Sequence, residues 1–372
     1  MSTLTPQSGL SAIKPYVPGK PIEEVQREYG LTDVIKLASN ENPLGPSPRV
    51  LTAIQAALPQ LNLYPDTQAY RLSRAIAARH GVQPDMVRVG NGADGLIREL
   101  CVSYLEDGDE VITSASSFPV YDISTAVMRG RMVKTPLRDL GFDLRAIAAA
   151  ITERTKLIFV CNPNNPTGTM VTATEVAEFM AAVPDRILVV CDEAYFEFVD
   201  SPDYSDTLAL IRSGRKNVIM LRTFSKAYGI AGIRIGYGIA QPELLAPLRA
   251  ATESFPVNNL AQVAGMAALE DAEFMRRTVE VNRAGRQFLY GEFDRLGLRY
   301  APSQTNFILV EIGPRARVVY QKLLERGVIV RPCNGYDLPD YLRITVGLPE
   351  QNARLIAALE EVLTADGRLP AA

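Results

Sequence analysis

The sequence predicts an α/β fold: a mostly parallel sheet covered by helices, followed by a smaller α+β unit. Three observations carry this. From about residue 87 short β-branched runs alternate with longer helical patterns, the alternation that builds a parallel sheet with helical crossovers. The runs are dominated by apolar residues, so they read as buried strands. After about residue 275 the pattern changes to a long helical stretch followed by three further apolar runs.

The elements follow in order. The first 50 residues are proline-rich, with "PYVPGKP" and "NENPLGPSP" breaking any regular period, and read as an arm or wrapping segment that does not fold alone. "AYRLSRAIAARHG" reads as a helix ending at Gly81, with His80 in its last turn, where a positive side chain suits the helix dipole. "VRV" (87–89), "EVITS" (110–114), "KLIFVC" (156–161), "ILVVC" (187–191) and "NVIMLRT" (217–223) are the strands, with helices such as "VTATEVAEFMAAV" among them. "TNFILVEI", "GVIVRP" and "YLRITVG" supply the strands of the second unit. The boundary falls within residues 260–285, which divides the chain into an arm over 1–45, a large domain over 46–275 and a small domain over 276–372.

Composition narrows the function. A chain of 372 residues, 47% hydrophobic, fills a sizeable core. The 39 basic and 42 acidic residues nearly cancel, so nothing favours nucleic acid or an anionic membrane, and small-molecule partners are expected. No signal-peptide pattern and no apolar run of membrane-spanning length is visible. The four cysteines lie far apart without a Cys-x-x-Cys pair, which fits a reduced, cytoplasmic setting. With His80 the sole histidine, a His-rich metal site or a Ser-His-Asp triad is hard to build, and no metal is expected.

"GNGADG", Gly90 to Gly95, matches a dinucleotide fingerprint and stands between a strand and a helix. The fingerprint also needs an acid at the far end of the next strand, whereas Asp109 and Glu110 precede "VITS". A nicotinamide cofactor is therefore rejected. The remaining physics holds: glycines and a helix N-terminus favour a phosphate at Gly92, Ala93 and Asp94, the alternative being a plain tight turn.

Open α/β sheets place ligands at the carboxyl ends of their strands. There "KLIFVC" runs into "NPNNPTG", "ILVVC" into "DEAYFEF" and "NVIMLRT" into "FSKAYG", so Asn165, Asp192, Tyr195, Ser225 and Lys226 converge on one rim. Each suits pyridoxal phosphate. An uncharged lysine forms the Schiff base, an aspartate keeps the ring nitrogen protonated, and Ser225 with Arg234 joins the Gly-rich turn in holding phosphate. Singly, each of these residues could be a solvated lysine, a helix cap or a turn former; jointly, each just past a buried strand, they point to the cofactor.

The segments "KLASNENPLGPSP", "LYPD", "CNPNNPTG", "DEAYFEF", "TFSKAYGIAGIRIGYG" and "YLRITVG" span residues 36 to 347. On these the chain resembles the fold-type I pyridoxal phosphate aminotransferases and, more narrowly, the histidinol-phosphate aminotransferases. The resemblance implies a seven-stranded, mostly parallel sheet in the large domain. It implies that Lys226 carries the cofactor and moves the substrate proton, that Asp192 pairs with the pyridine nitrogen, and that Asn165 and Tyr195 bond the ring hydroxyl oxygen. Phe118 should stack on the ring. Ala93, Asp94, Ser225 and Arg234 should bind the phosphate, with Tyr64 reaching it from the neighbouring subunit of a homodimer.

Arg343 in "YLRITVG" should face the substrate anion, joined by Arg331 and Tyr16. The expected reaction exchanges an amino group between histidinol phosphate and 2-oxoglutarate. An aromatic amino-acid aminotransferase, a threonine-phosphate decarboxylase and a cofactor-binding regulator remain alternatives. The last would need a DNA-reading module, and the first 50 residues hold no basic helix-turn-helix pattern.

Overall fold

Seven strands hydrogen-bond into one sheet in the computed structural model, which describes residues 19–365 together with Leu4, Gln7, Gly9, Leu10, Ile13, Pro15 and Gly367. They are Val87–Gly90 (β1), Glu110–Ser114 (β2), Arg131–Thr135 (β3), Thr155–Cys161 (β4), Leu188–Asp192 (β5), Val218–Thr223 (β6) and Gly236–Ile239 (β7). The order is β1-β7-β6-β5-β4-β2-β3. Strands β2 to β6 pair parallel, and β7 runs antiparallel to both its neighbours. The carboxyl ends of β4, β5 and β6 therefore lie side by side. β1 opens directly into the helix Gly92–Tyr104 (α1) on the same rim.

The sequence reading did not include β3 and β7. β3 is the sheet's edge, partly exposed and carrying Arg131 and Lys134, a charged edge that resists pairing with other chains. β7, "GYGI", is half glycine and has weak strand propensity. Its Gly236 is required by space: a Cβ there would lie 2.6 Å from the Ala93 amide nitrogen and 2.9 Å from the Arg222 carbonyl oxygen.

Two sequence expectations need correction. The N-terminal segment holds a helix, Ile22–Tyr29, begun after Pro21 and ended by Gly30 in the left-handed region. Lys20 pairs with Glu24 and Glu28 along it, and Val25 is its buried anchor. His80 does close the helix Tyr70–His80, but it is buried and its Nε2 shares a 2.9 Å hydrogen bond with the Tyr237 hydroxyl. Burial pushes its pKa down to about 3, so it is neutral and gives nothing to the helix dipole.

The second sheet is antiparallel. Phe307–Glu311 (β8), Arg331–Pro332 (β9) and Tyr341–Thr345 (β10) run in the order β8-β10-β9, with Arg331 opposite Arg343. A separate apolar core forms on it from Leu289, Phe293, Ile308, Leu342, Ile344 and Leu359. The helix Ala272–Arg295 (α2) serves both cores: Met275 packs on the core of the large sheet, Leu289 and Phe293 in the second. The arm joins the second core too, through Leu37 and a parallel pairing of Ile35–Lys36 with Val328–Ile329.

Candidate active site

A cavity of about 290 Å³ opens at the carboxyl ends of β4, β5 and β6. Of the residues singled out from the sequence, Ala93, Asp94, Phe118, Asn165, Asp192, Tyr195, Ser225, Lys226, Arg234 and Arg343 all line it. They come from six separate stretches of chain, brought to one place by the fold.

One end is built for an anion. Gly92 starts α1 at φ +72°, and the helix directs its unpaired amides and positive dipole end toward the cavity. A Cβ on Gly92 would stand 2.6 Å from Arg234 Nη2, so the glycine makes room for the guanidinium. Arg234 itself takes a left-handed conformation, φ +59°, unusual for a residue with a side chain. Its Nη1 donates to Ser225 Oγ at 3.3 Å and its Nη2 to Asp94 Oδ2 at 3.5 Å. Thr223 Oγ1 fixes the turn by accepting from the Ser225 amide at 3.1 Å.

The middle holds an acid and a base. Asp192 is buried; its Oδ2 accepts from the Tyr121 hydroxyl at 2.6 Å and its Oδ1 from the Ala194 amide at 3.2 Å. Burial pushes its carboxyl up to about 6 against the lowering effect of those two bonds, so it is mainly ionised at neutral pH. Lys226 Nζ donates to the Ser39 carbonyl oxygen at 3.3 Å. Burial, then the charge of Arg343, pushes its pKa down to about 8, so a share of it is a free amine near neutrality.

The far end belongs to the second sheet. Arg343 donates to Asn165 Oδ1 and, at 2.7 Å, to the Ala38 carbonyl oxygen. Arg331 does not line the cavity, but it stands opposite Arg343 across β9 and β10, and both guanidiniums lie about 6 Å from the Tyr336 ring centre. Tyr195 is buried, and its hydroxyl accepts from Asn40 Nδ2 at 2.9 Å.

Two expected residues stand apart. Tyr64 is 81% exposed and stacks on Phe255 with ring centres 4.4 Å apart, away from the cavity of its own chain. Tyr16 lies outside the described residues. Sequence reasoning missed Asn40, Tyr121 and Thr223. Asn40 stood in the quoted segment "KLASNENPLGPSP" without a role, Tyr121 read only as the end of "SSFPVY", and Thr223 only as a strand end.

The residues present fit pyridoxal phosphate: an anion cradle that a Cβ at Gly92 would fill, a buried carboxylate at the end of β5, and a lysine with a lowered pKa, all lining one cavity. Fold and cavity together define a fold-type I, pyridoxal phosphate-dependent enzyme. The chain belongs to the aminotransferase class I and II family, whose model matches residues 32–359. It is 49% identical to the histidinol-phosphate aminotransferase of Moorella thermoacetica, over 96% of this chain and 92% of that one. It is 48% identical to histidinol-phosphate aminotransferase 2 of Ralstonia nicotianae, over 95% of each. Among solved structures, the histidinol-phosphate aminotransferase of Sinorhizobium meliloti in complex with pyridoxal-5'-phosphate superposes with a TM-score of 0.88 at 31% identity, covering 98% of both chains.

Proposed function

We propose that this chain is a pyridoxal phosphate-dependent aminotransferase that interconverts histidinol phosphate and 2-oxoglutarate with imidazole acetol phosphate and glutamate, a step of histidine biosynthesis. One observation carries the reading: the Lys226 amine, on the loop after β6, and the Arg343 guanidinium, borne by the second sheet, line one cavity together with the Asp192 carboxylate and the Arg234 cradle. Relatives at 45–49% identity over nearly the whole chain bear that name, which supports the substrate.

The cofactor, when bound, supplies an electron-withdrawing ring that stabilises negative charge on the substrate carbon. The α1 N-terminus with Ala93, Asp94, Ser225 and Arg234 would hold its phosphate. Asp192, ionised, holds a proton at the ring nitrogen. Phe118 would cover the ring face. Asn165 and Tyr195 would bond the ring hydroxyl oxygen; because Asn40 donates to the Tyr195 oxygen, the phenolic hydrogen is left to point into the cavity. Lys226 Nζ, partly neutral, takes the proton from the carbon that bears the substrate amine. Arg343, with Arg331 and Tyr16, would bind the substrate phosphate, for which a planar guanidinium is suited.

The active unit is read as a homodimer in the cytoplasm. Tyr64 with exposed Leu61, Leu63 and Phe255 forms an apolar group that a second copy would cover, placing Tyr64 at that copy's phosphate. The four cysteines are buried and unpaired, which suits a reducing compartment. Among the described residues no helix is long and apolar enough to cross a membrane. We read the chain as an arm over 1–45, a cofactor domain over 46–275 and a small domain over 276–372, a division that the presence of two large apolar cores supports.

The test is a single-turnover absorbance experiment on purified holoenzyme with histidinol phosphate, and with phenylalanine as comparator. Fast conversion of the bound cofactor by histidinol phosphate alone supports the reading. Faster conversion by phenylalanine reassigns the enzyme to aromatic amino acids, and no cofactor band in either sample removes the cofactor assignment itself.

A further inference from the structure

Asp192 is held from behind by a group outside the cavity. Tyr121, on the helix Val120–Val127, is fully buried and does not line the pocket. Its ring lies flat on Phe159 of β4, centres 4.4 Å apart and 6° from parallel, and meets Phe118 edge-on at 5.7 Å. These two contacts leave the phenol one direction, and its hydroxyl ends 2.6 Å from Asp192 Oδ2. Resting on the assignment of Asp192 to the cofactor ring, we infer that Tyr121 is a positioning residue for the reaction, whose buried hydroxyl keeps the Asp192 carboxylate charged and fixed in rotation toward the cavity.

The electrostatics favour such a device. Burial pushes Asp192 toward the protonated form, and the negative charges of Asp94, at the start of α1, and Glu193, the next residue along the chain, push the same way. Cys161 stands opposite Asp192 in the β4–β5 register, its thiol pushed far up by burial, so it brings no charge. The bonds from Tyr121 and the Ala194 amide oppose these effects. Burial also holds the Tyr121 phenol far above its ordinary value, so it stays a donor at every working pH. A carboxylate that loses one of two donors binds its proton more tightly and gains freedom to rotate.

The experiment is Tyr121→Phe in the holoenzyme, which keeps both ring contacts and removes only the donor. With Asp192 needed in its charged form, the acid limb of the kcat profile should move to higher pH by about one unit, a tenfold gain in proton affinity. At pH 7, about one unit above the Asp192 value of about 6, that shift alone should lower kcat about twofold, and at pH 5 about tenfold, while KM stays within about threefold, as for a group that acts on the reacting ring and not on substrate binding. Equilibrium dialysis should show weaker binding of pyridoxal phosphate at pH 6 than at pH 8, relative to the parent.

An acid limb left in place, with or without a drop in kcat or Tm, overturns the inference and leaves Tyr121 as packing alone. Asp192→Ala, measured alongside, separates the two levels. A loss of about a hundredfold or more in Asp192→Ala with an unmoved limb in Tyr121→Phe removes only the role of Tyr121. A loss of about tenfold or less in Asp192→Ala removes the role of Asp192, and that of Tyr121 with it.

Discussion

Asn40 donates its side-chain amide to the Tyr195 hydroxyl over 2.9 Å, and the same residue is tied to the second sheet through Thr345. Its backbone nitrogen donates to Thr345 Oγ1 at 3.0 Å, and Thr345 Oγ1 donates to Asn40 Oδ1 at 3.1 Å. Thr345 is two residues beyond Arg343 on β10. One buried asparagine thus links the strand that carries Arg343 to Tyr195, and both of these line the cavity.

Replacing Asn40 with alanine should remove the donor to the Tyr195 hydroxyl and the acceptor of the Thr345 hydroxyl in a buried setting, leaving only the backbone bond to Thr345. The expected cost is about 1–3 kcal/mol of stability. Urea unfolding of the apoprotein would read it, and a midpoint equal to the parent's would mean that water or a neighbour replaces the amide.

Lys226 should become reactive near pH 8, well below an ordinary lysine, because burial and Arg343 favour its neutral form. Cyanate modification of the apoprotein, followed by peptide mapping across pH, reads the midpoint directly; a midpoint near 10.4 would remove the effect of burial. Lys226→Ala should lose almost all turnover while still binding the cofactor through its phosphate contacts.

Gly92→Ala combines two penalties: a positive φ that costs an L-residue about 1–2 kcal/mol, and a Cβ pressed against Arg234. Cofactor affinity should fall by about tenfold or more, with the larger effect when phosphate is the group measured. Competition by inorganic phosphate in a fluorescence titration checks this. Unchanged affinity would place the phosphate elsewhere.

On the opposite face of the sheet Arg222 donates through Nε and Nη2 to Glu193 Oε2 at 3.0 and 2.8 Å, and its guanidinium lies 3.3 Å from the centre of the Phe196 ring. Both side chains are almost fully buried. Arg222→Met should strand the Glu193 charge and cost ~3–5 kcal/mol, whereas the double variant with Glu193→Leu should recover most of that loss. Equal loss in single and double variants, by denaturant midpoint, would mean that packing on Phe196 matters more than charge.

Legibility in the sequence tracked distance along the chain. Lys226, Asp192 and Asn165 could be read because each directly follows a buried apolar run, and the rule that ligands sit at strand ends did the rest. Asn40 and Tyr121 could not, because their partners lie 155 and 71 residues away and no local pattern encodes such pairings. The reversed strand β7 escaped because its two glycines answer to crowding by Ala93 and Arg222, neighbours that exist only once the sheet is assembled. His80 was misjudged for the same reason: its place in the helix was local, its burial against Tyr237 was not.

β7 returns the chain to the sheet directly beside β6, so Ser225, Lys226 and Arg234 ride on one short loop clamped at both ends by neighbouring strands. Arg343, in contrast, is borne by the other core. The molecule is in this sense a tool with a fixed handle and an interchangeable bit. On the proposed assignment, substitutions around β9 and β10 alter what is gripped and leave the Lys226 loop untouched, so the partner of the reaction can be changed by rebuilding the smaller part alone.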